Sequence, residues 1–209
     1  IPPSMDYGFN ELKDPNAYNP ERSKQLLAED GWKDTDGDGI LDKDGKPLTF
    51  NFVVYNSRAE LPLYAEAVQS DLKKVGIDMK IKTVDYNLID KMGQEGDYDM
   101  LISNIVTANT GDPVWFLANY WHTNVDGSNP QNGSGYSNPQ VDQLLDAAET
   151  EFDTAKRRAY VIQIQQLLMN DGAALFLGYP KTNIVTGSYV KGAEMYPSDY
   201  YWITNKITK

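Results

Sequence analysis

Apolar residues recur along the chain with two different spacings, and the spacings alternate. In "ELPLYAEAVQSDLKKVG", Leu61, Tyr64, Ala65, Val68, Leu72 and Val75 stand three or four apart and stop at Gly76. That spacing predicts an amphipathic helix with a glycine end. Before it, "LTFNFVVY" (Leu48–Tyr55) is a run of β-branched and aromatic residues, and after it "IDMKIKTVD" alternates Ile77, Met79, Ile81 and Thr83. Both read as strands. Strand, helix, strand within so few residues is a βαβ unit, with parallel pairing and a right-handed crossover.

The same reading extends to both sides. "YNPERSKQLLAEDGW" has Asn19 as N-cap, Pro20 in the first turn and Gly31 as a stop, so a helix is expected there. "YNLIDKMGQEG" predicts a short helix, and "YDMLISNIV" (Tyr98–Val106) a buried strand, because its apolar run is almost continuous. A polar loop, "TANTGD", leads into the aromatic helix "PVWFLANYWHTN". "DGSNPQNGSGYSNP" is a turn-rich loop longer than packing alone requires, which makes it a functional or mobile candidate. Two helices with Asn138–Pro139 and Asp153 at their starts follow, then a strand-like "AALFLGYPKTNIVTG" and an aromatic tail, "YPSDYYWITNKITK". The fold class is α/β, with a mostly parallel sheet flanked by helices.

Composition narrows the function. A net charge of -11 over 209 residues excludes nucleic acid as a partner, since its phosphates repel an acidic surface. The chain has no cysteine, so disulfides, thiolate metal sites and cysteine nucleophiles are excluded. No apolar run is long enough for a membrane helix, and no secretion signal opens the chain. "IPPS" reads as an extended linker, and the expectation is a piece of a longer protein.

The acidic stretch "DTDGDGILDKDG" is the most conspicuous candidate for chemistry. Asp34, Asp36, Asp38 and Asp42 match the early ligand positions of a calcium loop, but the twelfth position, where a bidentate Glu should close it, is Gly45. Two readings stand: a solvated hairpin tip and a structural calcium site. Nucleophilic catalysis finds no support, because His122 is the sole histidine and no serine sits in a nucleophile elbow. A glycan hydrolase working through carboxylates, or a calcium-stabilised adhesion module, stays open as a rival.

Ligand sites of open α/β sheets lie at the carboxyl ends of strands and combine aromatic walls with a few polar groups. Tyr55, Asn56 and Arg58 end the first strand; Asn104 and Val106 close the third, and Thr107, Asn109 and Asp112 follow it; Trp115, Trp121 and His122 belong to the aromatic helix. These are the candidate ligand-binding residues.

Three stretches, "NPERSKQLLAEDGWKDTDGDGILDKDGKPLTF", "GDPVWFL" and "GYSNPQVDQLLDAAETEFDTAKRRAYVIQIQQLLMND", together resemble the family 5 extracytoplasmic solute-binding proteins of peptide and nickel ABC importers. The resemblance implies a type II periplasmic-binding-protein lobe: residues 1–186 as the C-terminal lobe, and 187–209 as a tail returning toward a missing N-terminal lobe. It implies an oligopeptide or similar small polar ligand, ABC permease subunits as partners, an extracytoplasmic location in the periplasm or as a membrane-anchored lipoprotein, no required cofactor and no catalysis. Peptide-binding members place an aromatic and an acidic residue before the "DP" pair; Val106 and Asn109 stand at those positions here, so both anchors are altered. Nickel-chelate binding is the alternative the resemblance implies, with His122 near the position of a metal-facing histidine.

Overall fold

Residues 49–84 form the expected βαβ unit. In the computed structural model, which describes residues 1–107, 111–181, 183–196 and 203–209, β3 (Thr49–Tyr55) pairs in parallel with β4 (Asp78–Val84) along its whole length, from Thr49 opposite Asp78 to Tyr55 opposite Val84. The connecting α2 (Glu60–Lys73) buries Leu61 and Ala65. A third strand, β5 (Met100–Leu101), joins the other side of β3, also parallel, giving the order β4-β3-β5. As the central strand, β3 is covered on both faces: Phe52, Val53, Val54 and Tyr55 are consecutive and all buried. Edge strand β4 instead buries Met79 and exposes Lys80 and Lys82, charges that discourage a further strand from adding on.

The chain divides into two compact units interleaved in sequence, a sheet unit of Pro15–Ile105 with Asn124–Tyr136 and a helical unit of Ile1–Asp14, Val106–Thr123 and Ser137–Lys209. In the sheet unit, α1 (Pro20–Glu29) starts as expected, Asn19 accepting from the Arg22 N–H at 3.0 Å. A small hairpin follows, β1 (Asp42–Lys43) with β2 (Lys46–Pro47), turned by Asp44–Gly45 with both residues at positive φ, which suits the strand twist. Leu48, Val75 and Ile77 form an apolar cluster there with Leu27, Trp32, Leu41, Phe50 and Leu72. Gly76 ends α2 at φ +84°, accepts the Leu41 N–H at 2.8 Å, and lies so close to the Leu41 side chain that an added Cβ would come within 2.6 Å of it.

After β4 the chain makes a single 3-10 turn, Tyr86–Leu88, and α3 (Ile89–Glu95). The strand expected over residues 98–106 shortens to two paired residues, extended by one bond from the Ile102 N–H to Val53 O. Beyond that point the Asn104 N–H turns to the Tyr55 hydroxyl, so the chain leaves the ladder while β3 continues to Tyr55 beside β4. The long turn-rich loop is hydrogen-bonded within the sheet unit: Tyr98 donates its hydroxyl to Gly133 O at 2.6 Å, and buried Asn132 donates to Tyr136 O at 2.8 Å.

The helical unit comprises α4 (Val114–Trp121), α5 (Pro139–Thr150) and α6 (Thr154–Asn170). Val141, Leu145, Ala148, Val161, Ile164 and Leu168 are essentially inaccessible and form its core with Val114, Leu117 and Trp121. Asn138 and Asp153 cap α5 and α6, as their sequence positions predict. The N-terminal segment is bound to α6 through polar side chains. Gln166 exchanges two bonds with the Lys13 backbone, Gln165 donates to Tyr7 O at 2.9 Å, and Arg158 pairs with Asp6 and Glu11. Arg157 joins three elements, because its guanidinium reaches Asp112 ahead of α4 and the carbonyls of Ala148 and Glu151 at the end of α5.

The strand read from residues 173–187 does not form among the described residues. Leu175, Phe176 and Val185 are exposed, and the pairing described in this stretch and beyond is one antiparallel bridge between Lys191 and Thr208. Strand propensity records how well a side chain fits a pleated, half-buried surface, and no described strand lies beside this segment.

Two stability outcomes follow from these contacts. Gly76→Ala should lower the unfolding free energy by about 2 kcal/mol, from left-handed strain plus the Leu41 clash, and Gly37→Ala, in open space, by about 1 kcal/mol. Arg157→Ala leaves Asp112 and two helix-end carbonyls without their donor and should cost about 2 kcal/mol; Arg157→Lys, lacking the forked geometry, should recover only part of it. Urea unfolding followed by circular dichroism measures both series.

Candidate functional site

Because β3, β4 and β5 are parallel, their carboxyl ends emerge along one edge of the sheet. Tyr55, the last residue of β3, is 1% exposed, so its ring is not a wall that a ligand touches. Its hydroxyl accepts the Asn104 N–H at 3.0 Å, and Asn104 Nδ2 donates to Glu60 Oε1 at 3.2 Å. A buried tyrosine thus ties the chain after β5 to the first turn of α2. Asn56 and Arg58 are exposed in the loop between β3 and α2, as a ligand contact requires. Tyr86, just past β4, rests on Tyr55 with ring centroids 5.1 Å apart at 66°. Glu60 and Tyr86 were not singled out from sequence. The rule that selected residues 55–58 points equally to Tyr86, the second residue beyond β4.

The remaining candidates belong to the helical unit. Val106 and Thr107 are half-buried, and Asn109 lies outside the described residues. Asp112 uses both carboxylate oxygens internally: Oδ1 accepts the Val114 N–H at 2.9 Å, starting α4, and Oδ2 pairs with Arg157. Nearby Tyr7, donating to Gly111 O, has its hydroxyl pKa raised by burial and by the Asp112 charge, against the opposing pull of Arg157. Trp115 is 52% exposed and available to a ligand, whereas Trp121 is buried in the core. Asp112 and Trp121 are therefore accounted for by structural contacts.

The four acidic-loop candidates do not act as one set. Asp34, Asp36 and Asp42 bring carboxylate oxygens within 4.8 Å of one another, while Asp38 stands apart and accepts the Ile40 N–H. Asp34 accepts from the Gly37 and Gly39 N–H groups at 2.7 and 3.0 Å, and Asp42 accepts from both the backbone and hydroxyl of Thr35. The carboxylates hold the loop's own turns.

His122 ends α4 and faces two acids of α5, with Nε2 3.3 Å from Asp146 and Nδ1 3.7 Å from Asp142. Thr123 holds Asp142 in place through its N–H at 2.9 Å and its hydroxyl at 2.6 Å. Burial pulls the His122 pKa down, but the Thr123 carbonyl and the charges of Asp142 and Asp146 outweigh it, and the net shift is upward. A histidine with a raised folded pKa contributes stability that is complete below its unfolded value, near 6.5, and is lost as pH rises through the folded value. As the sole histidine it gives one imidazole signal, so an NMR titration should place its midpoint above 6.5. Asp142→Asn with Asp146→Asn should bring that midpoint down, and an unchanged midpoint would contradict the pairing.

Residues 1–128 match the family model described as "Bacterial extracellular solute-binding proteins, family 5 Middle". The oligopeptide-binding protein AppA of Bacillus subtilis is 31% identical over 182 residues, 86% of this chain and 33% of that protein. The nickel-binding protein NikA of Staphylococcus aureus is 27% identical over 199 residues, 94% of this chain and 38% of the relative. The solved structure of Bacillus subtilis AppA with a nonapeptide superposes with a TM-score of 0.66 at 28% identity, over 82% of this chain and 34% of that one. The chain thus spans about a third of the length of the relatives it matches. No helix among the described residues is long and apolar enough to cross a membrane. With the family model covering more than half of the chain, and a parallel sheet flanked by helices that superposes on a solved receptor, this chain belongs to the family 5 bacterial extracellular solute-binding proteins.

Proposed function

We propose that this chain is the ligand-capturing portion of the substrate-binding component of an ABC importer, taking an oligopeptide or a similar small polar ligand. The observation that carries the reading is family membership combined with a parallel-sheet edge that offers exposed Asn56, Arg58 and Tyr86 to a ligand. Two lobes close on the ligand, this chain belongs to the C-terminal one, and the closed form delivers its cargo to membrane permease subunits. Residues 187–209 return toward the other lobe, which explains an aromatic-rich chain end with exposed Tyr189 and Ile203. The protein works outside the cytoplasm, in the periplasm or held to the cell surface by a lipid anchor. The ligand leaves chemically unchanged, and no cofactor is required.

Nickel-chelate capture is the second reading, supported by the nickel-binding name of the Staphylococcus aureus relative. The pairing of His122 with Asp142 and Asp146 weighs against it, because metal binding needs the imidazole nitrogen that those acids engage. Isothermal titration of the complete gene-encoded protein decides between them. Alanine-based pentapeptides should bind saturably with a Kd of about 1 μM or tighter, near −8 kcal/mol, and be recovered intact. Saturable binding of nickel–histidine without peptide binding would favour the second reading, and peptide cleavage would sink both.

A further inference from the structure

A parallel ladder spaces its bonds evenly, so every second residue of a strand gives its N–H to the same neighbour. The Ile102 N–H bonds to Val53 O at 3.1 Å, and the next bond of that ladder would take the Asn104 N–H to the Tyr55 carbonyl. It goes instead to the Tyr55 hydroxyl, at 3.0 Å. Side chains stand on the faces of a sheet, so the tyrosine carries this bond out of the plane of the ladder and lifts the chain off β3. The Asn104 side chain then reaches Glu60 Oε1 at 3.2 Å, in the first residue of α2. Glu60 closely follows Asn56 and Arg58 in the loop after β3, and Asn104 begins the departure of the chain after β5. A hydroxyl, an amide and a carboxylate thus fix the separation of two segments at the carboxyl edge, where open α/β sheets bind their ligands. The ring that bears the hydroxyl is itself held, being 1% exposed and covered by Tyr86.

We infer that Tyr55 and Asn104 are positioning residues of the ligand site: the Tyr55 hydroxyl, without touching the ligand, holds the chain after β5 away from the ladder, and the Asn104 amide sets the loop of Asn56 and Arg58 against it. The inference rests on the receptor reading above. An N–H in a part-buried place needs an acceptor, and without the hydroxyl the Asn104 N–H has none at the distance that keeps the edge open. The chain is then drawn toward the ladder, and the edge loses the shape that a ligand meets. Groups held by such bonds are ordered during folding, so binding does not meet that cost again.

The test titrates alanine pentapeptide into the complete gene-encoded protein well below its melting temperature. Tyr55→Phe keeps the ring and should weaken binding by about tenfold, the effect of one unmade part-buried hydrogen bond on the geometry of the site. Asn104→Ala should weaken it as well, and serves if Tyr55→Phe folds poorly. Glu60→Gln retains an oxygen acceptor for Asn104 and should bind within about twofold of the wild type, whereas Glu60→Ala should not. Tyr98→Phe removes a tyrosine hydroxyl bond at the amino end of β5, and should lower the melting temperature while leaving affinity unchanged. A hydroxyl with a merely structural role predicts the same pattern for Tyr55→Phe, a lowered melting temperature with wild-type affinity, and that result overturns the inference while the receptor reading survives. Equal losses in Glu60→Gln and Glu60→Ala would mean that the carboxylate acts through its charge, and would overturn it too. If the wild type binds no peptide at all, the receptor reading and this inference fall together.

Discussion

Parallel pairing of β3 with β4 is the constraint on which the sheet unit depends. Parallel neighbours cannot be joined by a tight turn, so α2 must cross between them, and its apolar side must then cover the sheet. β5 repeats the direction on the other side and makes β3 the central strand, whose four consecutive apolar residues, Phe52 to Tyr55, are all buried. The same geometry brings three strand ends to one edge. Loops there are free to carry recognition because the ladder, and not the loops, supplies the stability.

Many acidic residues that looked available for chemistry are engaged in holding the chain. Asp112 starts α4 and pairs with Arg157, Asp142 receives Thr123 and faces His122, and Asp34 and Asp42 accept the backbone of their own loop. Carboxylates that accept N–H groups at helix starts and turns satisfy donors that would otherwise go unpaired. In the sheet unit the exposed polar residues at the carboxyl edge, together with Tyr86, keep surface free for a partner.

The legibility of individual residues followed from how local their role is. Asn19, Asn138 and Asp153 were readable as caps because a cap bonds to backbone two or three residues away. Tyr55 was rightly placed at a strand end, but whether it faced solvent or core depended on Asn104 and Tyr86, which are distant in sequence. Trp115 and Trp121 look alike in the sequence, and helix packing exposes the first and buries the second. The segment 173–187 has strand composition without a strand, because a ladder needs a neighbour that composition does not specify.

The order of hydrophobic periods determined by itself the βαβ unit, and the residues at helix starts, Asn19, Asn138 and Asp153, determined the caps, since both depend on one stretch of chain. Tertiary structure alone decided that Asp112 pairs with Arg157, that His122 pairs with two acids, and that Tyr86 stands on Tyr55 at the sheet edge. Those outcomes rest on contacts between residues far apart in sequence. Distances of a few ångströms between such residues arise only when the strands and helices have packed.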